Sequence, residues 1–161
     1  MRLMAYHFRL LDEAAVFTIA EWRYDPPYDV YDLGSIDDED LAYFLDPELA
    51  FHSIIDEAGA LVAYCSFGID GQVPGGDYGG EALDIGLGIR PDLTGRGQGP
   101  TFVQTVLDFA QTQYAPAAFR VTIAEFNQRA LHVWQKAGFR PVQRFETSFD
   151  GRPFIVLMRE A

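Results

Sequence analysis

With 161 residues, of which 48% are hydrophobic and 14% aromatic, the chain has the composition of a folded globular protein, and its length predicts a single domain over residues 1–161. Its net charge is −12, and no contiguous basic stripe of the kind that binds nucleic acid occurs in it. No apolar run reaches the roughly 20 residues of a membrane span, and the single cysteine, Cys65, excludes an internal disulfide and a clustered thiolate metal site.

The first half of the chain predicts a strand, two helices and a β-hairpin. In order, we expect a strand over Met4–Leu10, a helix that follows Asp12 and Glu13 and continues to about Trp22, and a short helix over DEDLAYFL. Strands over Phe51–Ile55 and Leu61–Phe67, joined by a turn, come next. Pro26, Pro27 and Gly34 interrupt regular structure between the helices. The predicted buried side of the first helix consists of Ala15, Phe17, Ile19 and Trp22.

The second half predicts alternating strands and helices after a glycine-rich loop at residues 68–80. We expect strands over Ala82–Ile89 and Phe119–Ala124, helices from about residue 100 and over Asn127–Ala137, and two last strands over Phe145–Phe149 and Phe154–Met158. Gly138 stands where a left-handed residue usually ends a helix. The whole order predicts a mixed α/β sheet with helices packed on its faces.

The stretch Arg90 to Pro100, RPDLTGRGQGP, joins a predicted strand to a predicted helix. Gly95, Gly97 and Gly99 leave the backbone bare just before the helix, and amide groups at a helix N-terminus favour a phosphate-like anion. The stretch lacks the GK[ST] ending of a Walker A loop and the GxGxxG spacing of a dinucleotide fingerprint. The alternative is a tight turn that needs glycine for its geometry alone.

A second motif, VTIAEFNQRALHVWQKAGF, lies downstream of the first, at residues 121–139. Together with DIGLGIRPDLTGRGQG, it resembles the motifs of the GNAT superfamily of acetyl-CoA-dependent N-acetyltransferases. Residues 94–99 match the family's first motif, R/Q-x-x-G-x-G/A. The second motif, N-x-x-A-x-x-x-Y-x-x-x-G-F, is matched by Asn127, Ala130, Gly138 and Phe139.

The resemblance covers nearly the whole chain. It implies the GNAT fold, a mixed and mostly antiparallel sheet whose central parallel strand pair is splayed at the CoA site, with helices on both faces.

The resemblance also implies how acetyl-CoA is held. Its pyrophosphate would lie on the amides of Gly95, Arg96, Gly97, Gln98 and Gly99, with Arg96 either neutralising phosphate or facing solvent. Main-chain groups of Leu87 and Ile89 would pair with the pantetheine arm, and Asn127 would contact the arm or the thioester end. Thr94 replaces the usual Gln or Arg of the family, which weakens one cofactor contact, and Pro100 offers no amide proton.

The family's usual proton donor is missing, because Trp134 occupies the position of its tyrosine. An indole N–H is no usable acid, so either another group protonates the departing thiolate or none is needed. Trp134 is then a core aromatic residue that also forms a wall of the acyl pocket. For the base that removes the acceptor's proton, we predict Asp84, with Glu81 as the second choice and a purely structural role of Asp84 as the alternative.

The acceptor is predicted from charge and aromatic residues. Twelve acidic residues and one basic residue lie between Glu21 and Glu57, and acidic, aromatic surfaces suit an ammonium group. The predicted acceptor-lining residues are Trp22, Tyr24, Tyr28 and Tyr31, for which an ordinary packed loop is the alternative.

We therefore expect a cytoplasmic N-acetyltransferase that moves an acetyl group from acetyl-CoA to a primary amine, without metal, nucleic acid or membrane. Whether the chain forms a homodimer is left open. The predicted acceptor is a cationic small molecule, and the alternatives are a protein N-terminus or lysine and a catalytically silent acyl-CoA-binding module.

Overall fold

The computed structural model describes residues 5–161, and its regular elements follow the predicted order. The strands are β1 (His7–Leu10), β2 (His52–Ile55), β3 (Leu61–Phe67), β4 (Leu83–Ile89), β5 (Ala118–Ala124), β6 (Arg140–Glu146) and β7 (Pro153–Glu160). The helices are α1 (Glu13–Ala20), α2 (Asp38–Leu45), α3 (Gly99–Tyr114) and α4 (Gln128–Lys136). Met4, the predicted start of the first strand, lies outside the described residues. None of the helices in residues 5–161 has the length and apolarity that a membrane crossing requires.

The strands form a mixed sheet in the order β1-β2-β3-β4-β5-β7-β6. Only β4 and β5 are recorded as a parallel pair among the described strands, and the other recorded pairs are antiparallel. This arrangement confirms the predicted mixed fold. The chain divides into two compact units, the first comprising the residues up to Ser66 with Leu87–Thr94, and the second Phe67–Gly86 with Gly95–Ala161. A single domain over residues 1–161 stays a prediction.

The first unit packs α1 and the segments after it against the hairpin of β2 and β3. The turn of this hairpin is the predicted one, because the Asp56 carboxylate accepts hydrogen bonds from the amides of Ala58 and Ala60, and Gly59 is left-handed with φ 84°. The buried core of the unit consists of Leu11, Ala15, Val16, Ile19, Trp22, Leu49 and Phe51. Cys65 is fully buried, and burial raises the pKa of its thiol.

The buried side of α1 differs from the predicted one at one residue. The helix has eight residues and buries Ala15, Val16, Ile19 and Ala20. Phe17 is 43% exposed, so its predicted burial was wrong. The reason is that a residue two positions after Ala15 lies about 200° around the helix, on the opposite side. Trp22 is buried although α1 ends at Ala20, because its ring packs against Tyr64 at 6.0 Å.

The second unit is built on β5, which pairs with β7 along all seven of its residues. Helix α3 buries Phe102, Val103, Val106, Leu107 and Ala110, the periodic apolar residues of the sequence. Strand β6 begins at Arg140 and ends at Glu146, so the predicted Phe145–Phe149 strand was placed too late in the chain. The early start was missed because Arg140 and Pro141 are poor strand residues; β6 is an edge strand, where proline is tolerated.

The parallel pair of β4 and β5 is short. Its recorded register contains Leu83 opposite Phe119 and Asp84 opposite Arg120, although each strand has seven residues. Within the described residues, β5 therefore has no recorded β4 partner beyond Arg120. The splay of this pair at a CoA site stays a prediction.

Candidate functional site

The loop before α3 is shaped by glycine. Gly95 and Gly97 have φ values of 69° and 76°, a left-handed conformation that glycine adopts at little cost. Helix α3 then begins at Gly99, and no side chain caps it. Since the first amide groups of a helix have no partner within the helix, those of Gly99 and Thr101 are suited to an anion. Pro100 lies in the first turn, where its missing amide proton does not break the helix.

Gly99 has a different reason for being glycine. A Cβ atom at this position would lie 3.0 Å from Cγ2 and 3.3 Å from Cγ1 of Val133 on α4. Bare backbone here lets the beginning of α3 approach α4 closely. The three glycines therefore serve two purposes: Gly95 and Gly97 shape the loop, and Gly99 places the helix that ends it.

The second motif is explained by the ends of α4. The side chain of Asn127 caps the helix by accepting a hydrogen bond from the amide of Ala130 at 3.0 Å, which accounts for the N-x-x-A spacing. At the other end, Gly138 has φ 96°, and the amide of Phe139 donates to the Trp134 carbonyl at 3.1 Å. Asn127 thus holds the N-terminus of the helix whose packing positions the glycine loop.

Arg129 is a residue that the motif analysis missed. It belongs to the first turn of α4, and its Nη1 would lie 3.0 Å from a Cβ atom at Gly95. The second unit therefore places one guanidinium against the glycine loop, while Arg96 is exposed within the loop itself. The available signal was its place two residues after the motif's Asn127, but only the close packing of α4 on the loop shows the contact.

Trp134 lies in the core of the second unit. It is 6% exposed and meets the ring of Phe139 edge-on at 5.0 Å between centroids. The packing role predicted for Trp134 agrees with these contacts. Its role as a wall of the acyl pocket stays a prediction.

Asp84 is part of a buried ion pair with Arg120. Arg120 Nε donates to Asp84 Oδ1 and Nη2 donates to Oδ2, both at 2.7 Å, and the two side chains are 3% and 4% exposed. Gln72 Nε2 adds a third hydrogen bond to the carboxylate, at 3.0 Å. These hydrogen bonds from the Arg120 guanidinium to Asp84 raise the pKa of Arg120. Glu81, in contrast, is exposed.

The Asp84–Arg120 pair fastens the glycine-rich loop at residues 68–80 to the sheet. Arg120 also donates to the carbonyls of Gly79 at 2.9 Å and Tyr78 at 3.2 Å, and its guanidinium lies 5.0 Å from the centre of the Tyr78 ring. A cleft of about 310 Å³ beside the pair is lined by Asp77, Gly79, Arg120, Val142, Gln143, Val156 and Met158. The loop is therefore held in place by side-chain hydrogen bonds, although seven of its thirteen residues are glycine or proline.

In the first unit, the end of β4 and the turn after it carry three of the predicted cofactor residues, Leu87, Ile89 and Thr94. The Tyr24 hydroxyl donates to the Ile89 carbonyl at 2.7 Å, and burial raises the pKa of Tyr24. Thr94 uses both its amide and its hydroxyl on the Pro91 carbonyl, at 3.1 and 2.7 Å. Leu87 is half-buried. One lone pair of the Ile89 carbonyl is thus used by Tyr24, and the predicted cofactor contacts of these residues stay predictions.

The four predicted acceptor-lining residues differ in exposure. Trp22 is part of the core, Tyr24 and Tyr28 are half-buried, and Tyr31 is 40% exposed. Tyr28 and Tyr31 begin and end a short 3-10 turn. The packed-loop alternative therefore fits Trp22 best, while Tyr28 and Tyr31 present aromatic surface to solvent.

Comparisons with known proteins identify the fold. The family model described as "Acetyltransferase (GNAT) family" matches residues 14–139. A spermidine N-acetyltransferase chimera from Vibrio cholerae and hSSAT is similar in structure, with a TM-score of 0.75, 16% identity and coverage of 96% of this chain and 95% of that one. The Vibrio cholerae spermidine N-acetyltransferase in complex with CoA and spermine has a TM-score of 0.70 at 16% identity, over 96% of this chain and 95% of that one.

A third similar structure is an acetyltransferase of the GNAT family from Bacillus anthracis. It has a TM-score of 0.71 at 16% identity, over 96% of this chain and 94% of that one. At these identities, the likeness shows the fold alone. Among curated proteins, no significant match is found.

Proposed function

This chain belongs to the GNAT acetyltransferase family, and from that premise we propose that it transfers the acetyl group of acetyl-CoA to a primary amine of a cationic small molecule. The observation that supports acetyl-CoA as the acetyl donor is the N-terminus of α3, which has no side-chain cap and follows two left-handed glycines. The acidic segment between Glu21 and Glu57 supports the acceptor.

The residues at the start of α3 fit the pyrophosphate of acetyl-CoA. At Gly97 no atom lies within 4 Å of the position that a Cβ would take, so the backbone there is open to a ligand. Amide donors at a helix N-terminus and the guanidinium groups of Arg96 and Arg129 supply charge of the right sign. Acetyl-CoA would supply an activated acetyl group as a thioester. In this proposal, residues 95–99 with Arg129 hold the anion, and Leu87, Ile89 and Asn127 keep their predicted contacts with the arm.

The proposed acceptor follows from the charge of the first unit. Asp25, Asp29 and Asp32 lie in or beside the 3-10 turn that carries Tyr28 and Tyr31. Carboxylates and exposed aromatic faces attract and hold an ammonium group. Two of the similar structures are named spermidine N-acetyltransferases, and one of them is a complex with spermine. A polyamine-like acceptor is therefore the first class to test.

The identity of the base stays a prediction. The contacts of Asp84 support its structural alternative, because both of its oxygens are hydrogen-bonded and its charge is paired with that of Arg120 in the core. A carboxylate that removes a proton from the acceptor's ammonium group must then be able to pass that proton on to solvent. Glu81 is exposed close to the start of β4, so it becomes the first carboxylate to test as the base.

The decisive experiment measures thiol release from acetyl-CoA with a panel of amines. The panel contains polyamines, amino acids and peptides with free N-termini or lysines, and CoA binding is followed separately by calorimetry. We expect saturable turnover with a polyamine-like amine. Saturable turnover only with peptides would replace the proposed acceptor by a protein amine. CoA binding without turnover on any amine would favour the silent acyl-CoA-binding module, and absence of CoA binding would refute the donor site.

A further inference from the structure

The phenol of Tyr78 is aimed at β5 just past the last rung that β5 shares with β4. Its oxygen lies 2.9 Å from Thr122 Oγ1, and Thr122 stands two residues beyond Arg120, on the same face of the strand. Arg120 is the last β5 residue with a recorded β4 partner among the described residues. Both Tyr78 and Thr122 are half-buried. The two hydroxyls therefore lie just past the part of β5 that pairs with β4 among the described residues.

The position of Tyr78 is built by several contacts rather than by one. Gly76 lies so close that a Cβ atom there would be 2.8 Å from the Tyr78 ring, and the guanidinium of Arg120 covers the ring at 5.0 Å. The amide of Val73 donates to the phenol oxygen at 2.9 Å. These contacts fix the position of the Tyr78 hydroxyl although the residue belongs to a glycine-rich loop, so the hydroxyl is suited to a functional role.

The hydrogen bond between the two hydroxyls has a preferred direction. The phenol oxygen already accepts the Val73 amide proton, and its remaining lone-pair density is partly conjugated with the ring. The phenol proton is also the more acidic of the two. Tyr78 is therefore the donor and Thr122 the acceptor, which leaves the Thr122 hydroxyl proton for another partner.

We propose that the Thr122 hydroxyl, backed by Tyr78, donates to the sulfur of CoA and supplies the proton of the departing thiol, the role that Trp134 cannot fill. Thr122 is the catalytic residue in this proposal, and Tyr78 is a positioning residue that replaces the proton. The inference rests on the proposed function, because it takes the thioester of acetyl-CoA to lie beside β5, next to Thr122.

The proton and electron count closes without a further reactant. The acceptor nitrogen forms a bond to the acetyl carbon, and the carbon–sulfur bond breaks with its electron pair on sulfur. Thr122 gives its proton to that sulfur while it takes the phenol proton of Tyr78. The acceptor nitrogen releases a proton to solvent, and Tyr78 takes up a proton from solvent in return. The products are the acetylated amine and the CoA thiol.

The surroundings of Tyr78 suit the transient phenolate. The Val73 amide points at the phenol oxygen, and the positive charge of Arg120 lies over the ring. Both groups are in place before the proton moves, so the loop and the sheet do not have to rearrange. The buried pair with Asp84 holds Arg120 in this position.

The first test uses binding rather than turnover. The affinities of CoA and of desulfo-CoA, which lacks the sulfur, are compared by calorimetry in the wild type, Thr122→Val and Thr122→Ser. We expect the wild type and Thr122→Ser to prefer CoA, and Thr122→Val to lose that preference while its affinity for desulfo-CoA is unchanged. An equal preference in the wild type and Thr122→Val would overturn the contact. Thr112→Val, which removes an exposed hydroxyl late in α3, is the matched control.

The second test measures turnover with the best amine of the panel. Because a positioned general acid contributes at least about 100-fold, we expect Thr122→Val and Tyr78→Phe to lower kcat by about that factor with little change in KM for acetyl-CoA. Thr122→Ser should recover most of the rate that Thr122→Val loses. Unchanged kcat in both variants, with thermal stability intact, would refute the relay. If the wild type binds CoA but acetylates no amine, the proposed function fails, and the CoA preference still decides the contact.

Discussion

Replacing Asp84 by Asn tests the role of the buried ion pair most directly. Asn keeps the size of the side chain and removes its charge, so the Arg120 guanidinium stays in the core without a counter-charge. Its partner side chain is only 4% exposed. Breaking a buried pair by removing one member costs about 3–5 kcal/mol. For a chain of this length, each kcal/mol lowers Tm by about 2–4 °C, so we expect Tm to fall by roughly 6–20 °C.

The assay is thermal and urea unfolding of Asp84→Asn beside a surface control. Asp92→Asn removes the partner of Arg90 in a pair whose side chains are 57% and 30% exposed, and exposed pairs contribute about 0–1 kcal/mol. A double variant, Asp84→Asn with Arg120→Met, should recover part of the loss because no unpaired charge remains. An Asp84→Asn variant as stable as Asp92→Asn would refute the reasoning. An unaltered pH profile of kcat in folded Asp84→Asn would rule out Asp84 as the base.

Three further changes test the glycine positions and one histidine. Gly97→Val should lower CoA affinity at least about 10-fold. Its control is Gly59→Val, because Gly59 is also left-handed, with φ 84°, and has no neighbour within 4 Å; this variant should share only the backbone strain of about 1–3 kcal/mol. Equal CoA affinities of the two variants by calorimetry would contradict the loop as the anion site. Gly88→Ala places a Cβ against the Tyr64 ring, and this overpacking should lower the free energy of unfolding in urea by about 1–3 kcal/mol. A loss that persists in a Tyr64→Leu background would argue against this contact. Burial lowers the pKa of His52 below 6.5, so the unfolded chain binds more protons than the folded one. The free energy of unfolding should therefore fall as the pH drops below 6.5. A His52→Gln variant with the same pH dependence of urea unfolding would show that His52 does not cause this fall.

Local chemistry made much of the fold predictable. The short helix at residues 38–45 and strand β3 lie where the sequence places them. Asn127 caps α4 and Gly138 ends it, because caps and left-handed glycines act within one turn of the chain. The glycine loop before α3 follows from the same kind of signal. These features depend on neighbours within four residues, so they can be read from the order of the residues.

The sequence by itself thus determined the family, the order of elements and the glycine loop before α3. Only the tertiary structure decided that Asp84 is paired with Arg120 across 36 positions, that Tyr78 reaches Thr122 across 44, and that Arg129 lies against Gly95. These contacts are made by strand register and by the packing of a loop on a sheet. The sequence alone does not distinguish an aspartate that acts as a base from one that anchors a loop. At Asp84 the fold decides between them, because it places the Arg120 guanidinium against the carboxylate.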